Sequence, residues 1–425
     1  MKLTQEEKDI LAGGQGETMA KIMKTVVEFG DVFNAKKLVP ITHDAHLVTS
    51  FGIGLLKPVF RTMDEIINAG IKSKVPFTVD PRPIDYENVK CNILNKLIFS
   101  KIMYSQQARY EEQLKKVGLR GENDFTCTCY LDEVNNTPKE GDILCWAESS
   151  AVVYANSVLG ARCNRNSGMI DIFSAIIGKV PEFGLLLDEG RKADWIIEVK
   201  TSKKPEAQIL GSAIGLKVME QVPFVKGLDK YFKNGLDDEA KTYLKDFGAA
   251  TASNGAVGLY HIENLTPEAK KQGKELIKKD AKTYVIDDEE LERVYKSYPV
   301  LWKKTNAKPK LAFIGCPHLS YNQLCSWAER IINKLNEVGR KKVCVRTILT
   351  TSPAVREKFV KTELYQKLIA TGAKLSSICP LMYTNNPLAG KNYIATCSNK
   401  LRTYSASKYY KEDDLLNVIC TKEAK

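Results

Sequence analysis

No stretch of the 425-residue sequence approaches the roughly 18 consecutive apolar residues that a membrane-spanning helix requires. The opening residues, MKLTQEEKDIL, lack the basic-then-apolar layout of a secretory leader. A cytoplasmic protein without a membrane partner is therefore expected. The 11 cysteines are odd in number, scattered, and contain no CxxC pair. That pattern excludes a disulfide framework and a zinc ribbon of the usual spacing. No internal repeat and no low-complexity tract is present. The early GGQG follows no predicted strand and reads as a helix break, not a phosphate loop.

What is present is an ordinary globular composition, 44% hydrophobic and 27% charged. The length exceeds that of a single core, so several domains are expected. The net charge of +12 comes mostly from lysine spread along the chain. A nucleic-acid module clusters arginine with aromatics, and that clustering is missing, so no nucleic-acid partner is expected. Charge of this kind favours solubility and attracts anionic metabolites.

Helical spacing marks residues 5–37 and 87–118, and strand patterns mark KLVP, VPFTV, FTCTCYL (125–131) and DILCWA. Ser149 or Ser150 is expected to cap the helix AVVYANSVLG, which ends at Gly160. Residues 264–299 read as helical, lysine-rich and peripheral. Towards the C-terminus, strands KLAFIGC, KKVCVRTILT and AKLSSIC alternate with helices opening at Ser320 and Ser352. This β-α-β-α-β order implies parallel strands with right-handed crossovers. The expected division is an α/β core over 1–305, with more than one subdomain, and a parallel α/β domain over 306–425.

Cys316 and Cys379 close the first and third of these strands, and each is followed by proline. In a parallel sheet those ends share the edge where ligands sit. A third soft ligand completes a metal or cluster site, with candidates Cys127, Cys129, Cys163 and Cys397. Three thiolates leave one coordination position open, and an open iron polarises a substrate hydroxyl. Arg162 and Arg165 offer forks for a carboxylate, while Asn156, Asn164 and Asn166 can orient polar groups. Ser149 and Ser150, at a helix start, suit an anion. A serine in TYSASKYY (403–410) is a candidate base, and His318 in GCPHLS a candidate acid for the leaving hydroxyl.

WAESSAVVYANSVLGARCNRNSG (146–168) is preceded by TCTCY and followed by GLLLDEGRKA, AVGLYHIENLTPEA, GCPHLS and a terminal Ser/Lys/Tyr-Tyr element. In that order these motifs resemble aconitase X, a divergent branch of the aconitase superfamily, over nearly the whole chain. The resemblance implies an aconitase-like multi-domain α/β fold that lacks the swivelling small domain, supplied instead by a separate small subunit. It implies a hydro-lyase acting on a small hydroxy acid, with cis-3-hydroxy-L-proline the leading substrate and mevalonate 5-phosphate the alternative. It implies iron, mononuclear or as an iron–sulfur cluster of two or four irons, held by cysteines matched to Cys129, Cys316 and Cys379. Cys127 is the alternative to Cys129. A serine motif, altered here to Thr-Tyr-Ser-Ala-Ser-Lys, assigns the base to Ser405 and a substrate contact to Lys408, and His46 in HDAHLVTS matches a histidine near the active site. The non-enzymatic alternative is an iron-sensing nucleic-acid-binding protein.

Overall fold

The computed structural model describes residues 1–48, 51–386 and 392–421. Its first region packs helices around two short strand pairs. β1 (Leu38–Pro40) runs antiparallel to β4 (Lys179–Pro181), and β2 (Ala45–Leu47) parallel to β3 (Phe77–Val79). Helix Gln5–Leu11 opens with a capping box between Thr4 and Glu7. Helices Glu17–Val32, Lys57–Asn68, Gln107–Val117 and Gly168–Ile177 turn Val26, Phe60, Leu114 and Ile176 into a core shared with Phe77 and Phe125.

The second region is a four-stranded parallel sheet in the order β7-β6-β5-β8, comprising β5 (Ala193–Val199), β6 (Pro223–Lys226), β7 (His261–Ile262) and β8 (Ile277–Ile286). Helices Ala207–Val218 and Asp238–Gly255 lie tightly against each other. A Cβ on Gly211 would stand 2.4 Å from the Phe247 carbonyl oxygen, so only glycine permits that approach.

The third region is a five-stranded sheet, β11-β10-β9-β12-β13, with every pair parallel. It is built from β9 (Leu311–Leu319), β10 (Arg346–Thr351), β11 (Lys374–Ser376), β12 (Ile394–Thr396) and β13 (Lys408–Tyr409). The expected Ser320/Gln323 capping box and the Ser352 cap with Pro353 inside the helix are both present. None of the helices among the described residues is long and apolar enough to cross a membrane.

Three local expectations are corrected. The lysine-rich stretch within 264–299 is not one helix, because residues 277–286 form edge strand β8 against β5. Its lysines occupy an exposed edge, where charge blocks further strand pairing, so their spacing mimicked a solvated helix face. FTCTCYL is not a strand; apart from a bridge between Val79 and Phe125 it is a buried turn. The helix at 149–157 is capped by Glu148, whose carboxylate accepts the Ala151 amide, and not by Ser149 or Ser150.

β9 carries the feature that shapes the site. Its pairing with β10 slips between Leu349 and Thr351, and Gly315 sits at φ 109°. A Cβ there would lie 2.3 Å from the Thr350 carbonyl oxygen. The irregularity lets β9 bend at the residue before Cys316. Gly315→Ala is expected to destabilise the protein by about 1–3 kcal/mol in urea melts, from backbone strain plus the clash. An unchanged midpoint would contradict this account of the bend.

Candidate active site

Three cysteine-bearing segments converge where the third sheet meets the first region. β9 delivers Cys316. Ile378 bridges Arg82, and Cys379 donates its amide to the Arg82 carbonyl at 2.8 Å before opening helix Pro380–Thr384. The turn after Phe125 delivers Cys127 and Cys129, braced by the Thr128 amide donating to Thr126 Oγ1 at 3.1 Å.

One imidazole touches all three segments. His318, wholly buried, donates from Nε2 to the Ile378 carbonyl at 3.0 Å, and its Nδ1 lies 3.0 Å from Thr126 Oγ1. Its backbone N–H points at the Cys127 sulfur, 3.4 Å away, and its carbonyl accepts from Lys245 Nζ at 2.8 Å. Thr126 precedes Cys127, Ile378 precedes Cys379, and His318 itself follows Cys316 by two positions. A carbonyl can only accept, so Nε2 carries the proton and Nδ1 accepts the Thr126 hydroxyl. Burial pushes this histidine down to about 4 despite the bond to Ile378, so it is neutral. Both nitrogens of His318, the candidate acid, are thus engaged by residues adjoining two of the cysteines.

Beside the thiols lies a buried ion pair. Lys400 is hydrogen-bonded to Glu148, which also accepts from Ser150 Oγ at 2.7 Å and the Ala151 amide at 2.6 Å. Burial alone would raise Glu148, but the Lys400 ammonium and these donors override it and hold the carboxyl at about 2. Burial would likewise strip the proton from Lys400. The negative charge of Glu148, with smaller contributions from Cys316, Cys127 and Asp80, instead holds it above the ordinary lysine range. Ser398, which caps the helix carrying Lys400, is hydrogen-bonded to the Cys316 carbonyl.

The thiols respond to the same charges. Burial pushes Cys316 up to about 11 while Lys400 pulls it back. Burial also raises Cys127 and Cys379, and both feel Cys316, Asp80 and Lys400. Cys129 is also raised by burial, and it feels Glu148, Asp80 and Cys127 and meets Thr78. Cys127 lies near enough to Cys316 to feel its charge, and its sulfur accepts from the His318 amide.

His46 and Asp80 complete the cluster. His46 Nδ1 lies 2.9 Å from Thr78 Oγ1, and its Nε2 stands 3.6 Å from Asp80 Oδ1, beyond hydrogen-bond reach. Both atoms are buried without a hydrogen-bond partner among the described residues. Burial is the main reason Asp80 is raised, to about 6. Three soft thiols, a lysine that favours their ionised forms and two buried polar atoms lacking partners form a donor set that fits iron. Among the described residues no three His, Cys, Asp or Glu side chains already stand in metal-ligand geometry.

The remaining candidates divide. Ser150 belongs to the ion-pair cluster, and Ser149 Oγ lies 3.4 Å from Glu148 Oε1. Asn156 is consumed internally, donating to the Cys163 and Gly258 carbonyls and accepting from the Cys163 amide and Arg191. Arg162 reaches the Leu186 carbonyl and Asp188, and Asn164 clasps Phe183 and Leu185, so both bracket one turn. Arg165 is exposed, and Asn166 donates to Asp171. Ser405 donates to the Leu401 carbonyl at 2.6 Å, and Lys408 lies over the Trp302 and Tyr410 rings. Glu148, Lys400 and Asp80 were missed in the sequence. The available signal was a charge inside an apolar run, as in ILCWAESSAVVYA and YIATCSNKL, because a charge that cannot reach water must find a partner.

Family models for the first, second and third domains of aconitase X match residues 1–189, 193–296 and 309–416. The chain belongs to the aconitase X family. It is 33% identical to the phosphomevalonate dehydratase large subunit of Thermococcus kodakarensis, over 99% of both chains. The corresponding subunit of Methanocaldococcus jannaschii is 32% identical over 96% of both. The cis-3-hydroxy-L-proline dehydratase of Hypocrea jecorina is 26% identical over 76% of this chain and 52% of its own length. The crystal structure of Thermococcus kodakaraensis aconitase X in its holo-form superposes with a TM-score of 0.80 at 30% identity, covering 99% of this chain and 100% of that one. This aconitase X chain is thus a multi-domain α/β protein and a hydro-lyase, as the dehydratase relatives are.

Lys400→Met leaves Glu148 buried without its counter-charge. The expected loss is about 3–5 kcal/mol of stability, readable by chemical denaturation. Because Glu148 lies below its ordinary 4.5, the pair's contribution is complete above that pH and drains away as pH falls towards 2. In Lys400→Met that acid-dependent loss of stability should shrink; an identical acid profile would contradict the pairing.

Proposed function

We propose that this chain is the large, catalytic subunit of an iron-dependent dehydratase of a small hydroxy acid, paired with a separate small subunit, and that phosphomevalonate is the substrate. The observation that carries the chemistry is the convergence of Cys127, Cys316 and Cys379 beside the Glu148–Lys400 pair. The substrate choice rests on likeness: the phosphomevalonate relatives align end to end, whereas this chain spans 52% and 44% of the two hydroxyproline dehydratases.

In this reading Cys127, Cys316 and Cys379 hold the iron, and Cys129 is a packing residue. When bound, iron supplies Lewis acidity to the departing hydroxyl. His318 holds the three thiol segments in register. Lys400 keeps a positive charge beside the thiols and favours their ionised state, while Glu148 and Ser150 fix its position. Asp80 Oδ1 and His46 Nε2 face each other with no hydrogen-bond partner among the described residues, and we assign the proton transfers to this pair. Ser405 is engaged with Leu401 and Ser407, so it supports its own turn.

The experiment is anaerobic purification with the small subunit, followed by iron and sulfide analysis and dehydration assays on phosphomevalonate and cis-3-hydroxy-L-proline. Expected are bound iron, elimination of water from phosphomevalonate, loss of iron in Cys127→Ser and Cys316→Ser, and retention in Cys129→Ser. Turnover of hydroxyproline alone would overturn the substrate choice, and iron content unchanged by Cys316→Ser would overturn the ligand set.

A further inference from the structure

Residues 93–103 form one helical segment, α-helical over Ile93–Leu97 and π-helical over Ile98–Met103. Its inner side is apolar and covered. Phe99 is buried, stacked on Tyr104 and tilted against Tyr383, within the same core as Cys316 and Ile378. Its outer side is apolar as well. Ile93, Leu97 and Ile102 follow one another by four and five residues, one α turn and one π turn, so they share a face. Ile93 is 81% exposed and Ile102 62%, with Leu94 and Leu97 exposed beside them.

The preceding loop extends this face. The Gly54 amide donates to the Met103 carbonyl at 3.0 Å, and the Gln106 amide donates to the Gly52 carbonyl at 3.1 Å. A Cβ at Gly52 would stand 2.2 Å from the Gln107 nitrogen, so this close seam depends on glycine. The seam lays Gly54 against the Ile102 carbonyl, and the residues that follow it, Leu55, 84% exposed, and Leu56, are exposed. A helix apolar on both sides belongs in an interior, and contiguous exposed apolar surface marks an interaction site.

The two segments that carry the face hold charge of one sign. Lys57, Arg61, Lys90, Lys96 and Lys101 lie within 51–63 and 88–110, and neither segment contains an acidic residue. Two copies of this chain meeting face to face would juxtapose like charges, which disfavours self-association.

We infer that the apolar face of Leu55, Leu56, Ile93, Leu94, Leu97 and Ile102 is the docking surface for the separate small subunit, which meets it with an acid-rimmed apolar patch. The inference rests on the large-subunit reading above. Such a partner would sit one buried side chain, Phe99, away from the core that contains Cys316.

The test measures binding of the small subunit from the same organism by calorimetry and size-exclusion chromatography. Wild type is compared with the double variant Ile93→Asp/Leu97→Asp, and with controls Leu216→Asp and Leu301→Asp on other exposed leucines. All are checked for unchanged far-UV circular dichroism and iron content. Two charges placed in an apolar interface should weaken binding on the order of a hundredfold, and binding should also fall as salt rises. The control variants should bind as wild type does. A double variant that binds within twofold of wild type overturns the docking surface while leaving the large-subunit reading intact. No binding by wild type overturns the large-subunit reading itself. Wild-type self-association abolished by the double variant, or capture of wild type by vesicles containing anionic lipid without small-subunit binding, overturns the proposal in favour of a second copy or a membrane surface.

Discussion

The Glu148–Lys400 pair is the constraint around which the rest of the site is arranged. Taking two charges out of water costs several kcal/mol each, and only close geometry with additional hydrogen bonds recovers it. Glu148 meets that demand by doubling as the cap of the helix that starts at Ser149, so its carboxylate accepts a backbone amide, a serine hydroxyl and the ammonium together. Lys400 sits on the helix Asn399–Tyr404, more than 250 positions later in the chain. The pair joins the first region to the third, and its charge reaches Cys316, Cys127, Cys379 and Asp80. Charge and position at the thiols are set by the same contact.

His318 solves a related problem by a different route. Three segments from distant parts of the chain must present soft ligands to one point, and the turn carrying Cys127 has no sheet or helix to hold its geometry. A neutral imidazole buried among them supplies one donor and one acceptor, each satisfied by a residue adjacent to a cysteine. Its backbone adds a contact to Cys127 and accepts from Lys245, which ties in the second region. The bend at Gly315 allows β9 to place Cys316 and His318 together in this junction.

The stretch 146–168 shows how a dense polar motif is used inside the fold. Its polar groups at Asn156, Arg162 and Asn164 hold the loops at 183–191 and 258 against the helix. Only its first residues, Glu148 to Ser150, reach the site. These directional groups satisfy the joint between regions, because a buried backbone turn needs partners wherever it lacks a strand or helix to supply them.

Local pattern alone determined the third region's alternation of parallel strands and helices, its caps at Ser320 and Ser352, and the arrival of Cys316 and Cys379 at one sheet edge. Those features depend on spacing, capping chemistry and crossover handedness, which are legible within about 70 residues. The motif order also marked the aconitase X family, which the domain matches bear out. Tertiary structure decided what local pattern cannot hold: that lysine-rich 277–286 is an edge strand, that the His318 ring is hydrogen-bonded to residues adjoining Cys127 and Cys379, and that Lys400 pairs with Glu148. A strand needs its partner to exist, and a buried charge needs its counter-charge. In each case the deciding neighbour is supplied by a distant segment of the folded chain.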